Sequence, residues 1–348
     1  MSAPLINADA VLYGNLIDAA YAMFDSKKNS LTPAPTGLPG DYEVVAWIDM
    51  TDTVLVVAEH KFYGIIAHSP SNPGTFVVAI RGTEGILEWI EDAFFVKQSF
   101  SQGFGEVASG FDQIYNTLTV IPRLTPTGVV GSTRDLAPST LSGTFAEQVQ
   151  EAAAMALPHL RSRGIEAGSP STVQYIAAGH SLGAALATLY AAEHGAKAQA
   201  QDPAVAQTTV RRLCTFASPR VGDGHFVSAF DGLGMDSWHI VNTRDAVPKL
   251  PFTWMGFGDV ATLYAFDSDS FAQHNVGCRH HMRTYLHWLD PSIQLSDGCS
   301  LAAAAPAAIG GSRGLTEPIA AQQPERITVG PPGTPITINI YVGSGSHA

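Results

Sequence analysis

The stretch from Val173 to Ala187 limits this chain more than any other. It opens as a short apolar run, Val173-Gln174-Tyr175-Ile176-Ala177-Ala178, that reads as a buried strand. It turns through Gly179-His180-Ser181-Leu182-Gly183 and continues as an Ala-rich stretch to about Glu193 that reads as a helix. Strand, G-x-S-x-G, helix is the context in which a serine can be a nucleophile. The serine then sits on a sharp, strained turn, and side chains at the two flanking glycines would strike the neighbouring strand and helix. Ala184, Ala185 and Ala187 let the helix lie close on a sheet. The N-terminus of that helix also favours negative charge at a reacting carbonyl. By itself G-x-S-x-G occurs by chance in a chain this long roughly one time in ten. The flanking strand and helix give it weight.

Such a serine needs a base, and the base needs a carboxylate to orient it. On a sheet built this way the chain order is serine, acid, histidine. Asp245 fits as the acid: it follows the strand-like Ser237–Asn242 in a loop held by Pro248 and Pro251. Asp223 and Asp236 are the rivals, and neither follows a strand so cleanly. The candidate bases are His274, His280, His281 and His287. His280 and His281 stand just before a helix whose apolar face is Met282, Tyr285, Leu286 and Leu289; His287 lies deeper in it. An oxyanion needs two donors. The backbone N–H of Leu182 is one, and Thr83, in the loop after the apolar strand Thr75–Ile80, is the other. Arg81 in that loop is expected to have a structural ion-pair role.

Composition excludes several classes. The 348 residues are 45% hydrophobic and 14% charged, with a net charge of −12 and no Lys/Arg run. That argues against nucleic acid and against electrostatic attachment to anionic membranes. Neutral lipid surfaces stay open. Cys214, Cys278 and Cys299 form neither a disulfide framework nor a zinc pattern. Cys214 reads as a buried small hydrophobe, and Cys278 and Cys299 could pair in an oxidising compartment. The first 24 residues lack the basic and apolar regions of a signal peptide, which fits a cytoplasmic protein or a mature secreted form. No apolar run reaches the 18 or so residues of a transmembrane helix.

Along the chain, Ala8–Phe24 has helical spacing. Strands are expected at Val54–His60, Tyr63–His68, Thr75–Ile80, Val210–Ala217 and Ser237–Asn242. Helices are expected at Leu87–Val96, Gly110–Leu118, Phe145–Arg161 and His281–Leu289, with His225–Gly232 helix or loop. Residues 125–143 read as a surface excursion. The division is a catalytic domain over 1–298 and a Pro/Gly/Ala-biased tail over 299–348. The alternation at Ile327–Val329 and Ile336–Val342 makes the tail end in a β-hairpin or an added edge strand, a surface for self-association.

Four blocks resemble the class 3, fungal-type lipases: Ile80-Arg81-Gly82-Thr83; Gly179-His180-Ser181-Leu182-Gly183; Thr215 to Gly222, with Ser218-Pro219-Arg220; and Asn242 to Pro248. His280 to Leu286 is a weaker fifth. They come in the family's order. The resemblance implies an α/β-hydrolase fold: a central, mostly parallel sheet flanked by helices. It implies Ser181 as nucleophile, Asp245 as acid, and Thr83 and Leu182 as oxyanion donors. It puts the base at His280, five before Tyr285, with the adjacent His281 as the alternative. It further implies a lid over the active site in Glu84–Phe95, through Ile86, Leu87, Trp89 and Ile90; a core-packed helix is the other reading of that face. Two blocks depart from the family: Ala108 stands where histidine is usual, and the segment after Pro251 lacks the usual H-V-G and reads Gly256-Phe257-Gly258-Asp259-Val260. The implied activity is hydrolysis of carboxylic esters in acylglycerol-type lipids at a lipid–water interface, with no cofactor and no metal. The alternatives are a phospholipase A1, a short-chain or feruloyl-type esterase, and a non-catalytic binding protein on this fold.

Overall fold

In the computed structural model of the chain, the residues described are 4–52, 59–83, 95–101, 103–125, 127–130, 141–170, 172–200, 210–301, 325–329 and 336–340. Helix α1 (Asn7–Ser26) is followed by β1 (Glu43–Asp52), β2 (Glu59–His68), β3 (Thr75–Ile80), β4 (Lys97–Ser99) and β5 (Glu106–Ala108). Then come α2 (Ser109–Tyr115), β6 (Thr119–Pro122), β7 (Leu124–Thr125), β8 (Gly128–Val129) and α3 (Phe145–Ser162). The centre is β9 (Gln174–His180), α4 (Leu182–Ala200), β10 (Val210–Phe216), β11 (Gly222–Asp223), α5 (Gly224–Asp231) and β12 (Asp236–Asn242). The last elements are β13 (Phe257–Gly258), β14 (Thr262–Phe266), α6 (Val276–His280), α7 (Met282–Leu289), β15 (Glu325–Val329) and β16 (Ile336–Ile340).

Eight strands form the main sheet in the order β14-β12-β10-β9-β3-β2-β1-β6. The ladders from β14 to β3 are parallel, and those from β3 to β6 antiparallel. Alternation along each strand feeds two cores. Phe76, Val78 and Ile80 pack with α2, α3 and α4, while Val77 and Ala79 pack with α1 and α7. Small residues set the spacing on one side: Leu182 to His194 of α4 are buried without a break, so Ala184, Ala185 and Ala187 lie close on the sheet. Thr144 and Glu147 start α3 with a reciprocal capping box. This is the α/β-hydrolase arrangement the sequence implied.

The register lines up the ends that matter. Ile80 is opposite Gly179, Phe216 is opposite both His180 and Ile240, and Asn242 is opposite Phe266. Whatever follows Ile80, His180 and Asn242 therefore gathers at one carboxyl edge. Those continuations are Arg81-Gly82-Thr83, Ser181 and the loop to Asp245.

Several elements differ from expectation. No strand was expected at Glu43–Asp52, yet β1 lies inside the sheet. Val44 to Met50 are buried without alternation, so the period-2 signal is absent. A second sheet, β13-β11-β5-β4, and the edge strand β14 were also not foreseen; most of these strands have two or three residues. Val54–His60 falls mostly outside the described residues, as do Leu87–Val96, most of 131–143 and the Ala-rich tail. The expected helix over Gly110–Leu118 ends at Tyr115 and gives way to β6. Strands β15 and β16 pair antiparallel as a terminal hairpin. Cys278 and Cys299 form a disulfide, and Cys214 is buried and free. Beside the disulfide, Leu301 donates its N–H to Phe271, so the chain through Leu301 is fastened to the body.

Candidate active site

Ser181 joins β9 directly to α4, a sharper turn than the five-residue one expected. Its φ of 58° is left-handed backbone, uncommon for a residue with a side chain. Both flanking glycines are required by contact. A Cβ on Gly179 would run into the Gly183 carbonyl, and one on Gly183 into the carbonyls of Ile80 and Arg81. The turn is thus clamped between its own helix and β3. Gly82 lies against it as well, since a Cβ there would come within 2.8 Å of Ser181 Cβ. Thr83 is the next residue. Leu182 opens α4, so its N–H belongs to a first turn that has no intrahelical acceptor. Leu182 thus follows the serine directly, and Thr83 follows a glycine packed against it.

Asp245 and His280 meet on the same edge. His280 Nδ1 lies 2.7 Å from Asp245 Oδ2, with the carboxylate wholly buried. A carboxylate only accepts, so Nδ1 carries a proton, and the neutral tautomer this selects has the Nε2 lone pair that a general base requires. The buried carboxylate has two further donors. Tyr285 donates its hydroxyl to Oδ2 at 2.7 Å, and Val247 N–H donates to Oδ1 at 3.0 Å. Burial, then the charge of Asp245, holds the Tyr285 phenol well above its ordinary pKa, so it stays a donor. Asn242, at the end of β12, donates to the Arg279 carbonyl at 2.8 Å and so ties the acid's strand to the base's helix. Ser181 Oγ is enclosed and has no hydrogen-bond partner among the described residues.

The neighbouring histidine has another task. His281 is the N-cap of α7, its Nδ1 accepting from Arg283 N–H. Its imidazole pKa is lowered by burial, with the charge of Asp18 in α1 acting against that shift. His280 was expected just before a helix; it is itself the last residue of a short helix, α6. Asp223 caps α5 through Phe226 N–H, and Asp236 pairs with Arg212. His274 bonds the Asp269 carbonyl, and His287 the Ile293 carbonyl. None of these four joins Ser181. Ile86, Leu87, Trp89 and Ile90 lie outside the described residues.

Sequence reading missed three residues here. His180 Nε2 is 2.8 Å from the His280 carbonyl, and only a donor can face a carbonyl. Burial, then the charge of His280, holds the His180 pKa well below normal, so the ring is neutral and Nδ1 accepts. The donor to it is Tyr21 of α1, whose hydroxyl is 2.8 Å from Nδ1 and itself accepts from Gly82 N–H at 2.7 Å. One chain of bonds thus runs from the Gly82 loop through Tyr21 and His180 to the backbone of His280. Tyr285 was read as part of an apolar face and as the landmark that places His280, not as a donor to Asp245. The available signal was a hydroxyl on an otherwise apolar stripe. The Arg81 guanidinium bonds the Phe62 and Gly82 carbonyls and stands 3.6 Å from the Phe24 ring centroid. Among the described residues no group of three or more His, Cys, Asp or Glu side chains could hold a metal ion.

The chain matches the model of the family "Lipase (class 3)" over residues 77–255. It is 28% identical over 267 residues to phospholipase A1-II 7 of Oryza sativa subsp. indica, covering 74% of this chain and 59% of that one. It is 33% identical over 99 residues to the secreted mono- and diacylglycerol lipase A of Penicillium cyclopium, covering 28% of this chain and 29% of that one. Among solved structures, a deletion mutant of the Rhizomucor miehei lipase propeptide complex is similar in fold, with a TM-score of 0.50 and 23% identity over 78% of this chain and 70% of that one. The chain spans 59% of the length of this rice phospholipase, and 27% and 40% of the length of two further rice phospholipases A1. The family match takes in β3 from Val77, the serine turn and the acid loop, just over half of the residues, and the chain belongs to the class 3 lipase family.

Proposed function

We propose that this protein is a serine hydrolase that cleaves carboxylic esters of acylglycerol-type lipids through an acyl-enzyme intermediate. The observation that carries the reading is the buried His280 Nδ1–Asp245 Oδ2 bond of 2.7 Å, on the same sheet edge as a serine held at φ 58°. Nε2 of His280 takes the proton as Ser181 Oγ attacks the ester carbonyl. The N–H groups of Leu182 and Thr83 receive the oxyanion as the tetrahedral intermediate forms. His280 returns the proton to the leaving alcohol, which departs and leaves the acyl group on Ser181. Water then attacks that ester by the same route in reverse. Asp245 fixes the imidazole tautomer and stabilises the imidazolium. A fluorophosphonate probe is expected to label Ser181 of the folded protein. An unlabelled Ser181 would favour a binding protein on the hydrolase fold.

A second reading, phospholipase A1, is favoured by the rice relative, which aligns over 74% of this chain. A panel of triacylglycerol, diacylglycerol and phosphatidylcholine emulsions beside soluble p-nitrophenyl esters separates the two. Higher kcat/KM on neutral glycerides supports the first reading, and release of the first-position acyl chain of phosphatidylcholine supports the second.

A further inference from the structure

Trp254 is the most exposed large hydrophobic among the described residues, at 68%; Trp47 and Trp238 are fully buried. It is held outward by a built turn. Thr253–Met255 form a 3-10 turn closed by Gly256 at a left-handed φ of 84°. On either side of the tryptophan, Phe252 and Met255 pack against the core. The Phe252 ring also stacks on the Trp254 ring, 5.8 Å apart and 13° from parallel. Arg220 grips both ends of the loop. Its Nη1 donates to the Lys249 carbonyl at 2.7 Å and the Pro251 carbonyl at 3.0 Å, and its Nε lies 2.9 Å from Asp259 Oδ1. Asp259 belongs to the segment where this chain departs from H-V-G. A loose loop would fold a tryptophan inward to hide its ring. Here the anchors on both sides prevent that.

Position says what the ring meets. The loop follows Asp245 through the short turn Val247–Lys249 and is held by Arg220, four residues past the end of β10 at Phe216, so it borders the carboxyl edge that holds Ser181. Val96, 59% exposed, is adjacent to Lys97, whose ammonium stands 5.8 Å from the Phe257 ring centroid beside the same turn. Lys249 is exposed at the loop's start. Together these make an apolar lip with ammonium groups at its border, in a chain whose net charge is −12. An amphipathic indole with nearby cations suits the zone between acyl chains and phosphates, whereas the net charge opposes a strongly anionic surface.

We propose that the Pro251–Gly256 turn is a lipid-surface anchor, with Trp254 inserting into a zwitterionic or neutral lipid surface beside the active site. This rests on the acyl-lipid reading above, but its test does not need catalysis. Binding is measured by sedimentation with phosphatidylcholine vesicles, in a Ser181→Ala background so that nothing is hydrolysed. Adding Trp254→Ala is expected to weaken partition about tenfold, and Trp254→Phe to stay within about twofold. Trp254→Ala alone should keep wild-type kcat/KM on soluble p-nitrophenyl acetate. Unchanged partition in Trp254→Ala, or absence of vesicle binding by the Ser181→Ala parent, would overturn the anchor. So would equal loss on soluble ester, which would make Trp254 part of the substrate pocket. A dimer in light scattering that Trp254→Ala dissociates would also overturn it, by assigning the lip to a second copy. Loss of the hydrolase reading would appear separately, as absent hydrolysis of every ester by the wild type.

Discussion

The backbone at Ser181 is strained, and the groups around it are fixed by bonds that leave each proton one place to go. The Asp245 carboxylate fixes the proton of His280 on Nδ1, and the His280 carbonyl fixes the proton of His180 on Nε2. That leaves Tyr21 to donate to His180 while accepting from Gly82 N–H, in the loop that carries Thr83. On the function proposed above, Tyr21 is a positioning residue for the loop that carries Thr83. Tyr21→Phe removes an oxygen while keeping the ring, so it leaves Gly82 N–H and His180 Nδ1 without this partner. We expect kcat on a soluble ester to fall about tenfold with KM little changed, the scale of one misplaced oxyanion donor or less. An equal fall in kcat and in melting temperature, restored together by a stabilising change elsewhere, would make Tyr21 merely structural.

Among the elements, those with a strong period were readable and those without were not. Helices α1, α3 and α7 each bury one stripe, and β3, β10 and β12 are apolar runs between turns, so their positions follow from spacing. The serine turn was readable because glycine is demanded on both sides by the carbonyls of Gly183, Ile80 and Arg81. β1 gave no pattern because both its faces are covered. β4, β5, β11 and β13 are too short to have a period, and only their tertiary pairing makes them strands. The boundary between α6 and α7 was also hidden. Two adjacent histidines look alike in sequence, yet one ends a helix and bonds Asp245 while the other caps the next helix. The links Tyr21–His180 and Tyr285–Asp245 join residues far apart in the chain, so no local signal announces them.

The whole molecule carries an acid sensitivity in its buried imidazoles. Burial lowers His194 and His239 to about 4, and holds His180 well below its usual value. These folded values lie below the unfolded one near 6.5, so the unfolded chain binds more protons as acid is added. The sign is therefore a stability present above about pH 6.5 and lost progressively toward pH 4. Asp49 and Asp112 oppose the trend, because burial raises their carboxyls. His194 and His239 contribute up to about 3 kcal/mol each in the acid-sensitive direction. Thermal melts between pH 7 and 4 should show a falling midpoint, with a shallower slope in His194→Gln; a midpoint flat over that range would contradict the burial of these rings. The central claim, that one edge of one sheet brings together Ser181, His280 and Asp245 as a working unit, is tested most directly by kcat on a soluble ester for four proteins at one pH: wild type, Ser181→Ala, His280→Ala and His281→Ala. The account predicts losses on the order of 10⁴ to 10⁶ for the first two variants, and roughly tenfold or less for His281→Ala, which loses only a helix cap. Wild-type turnover in Ser181→Ala, or an inactive His281→Ala beside an active His280→Ala, would contradict it.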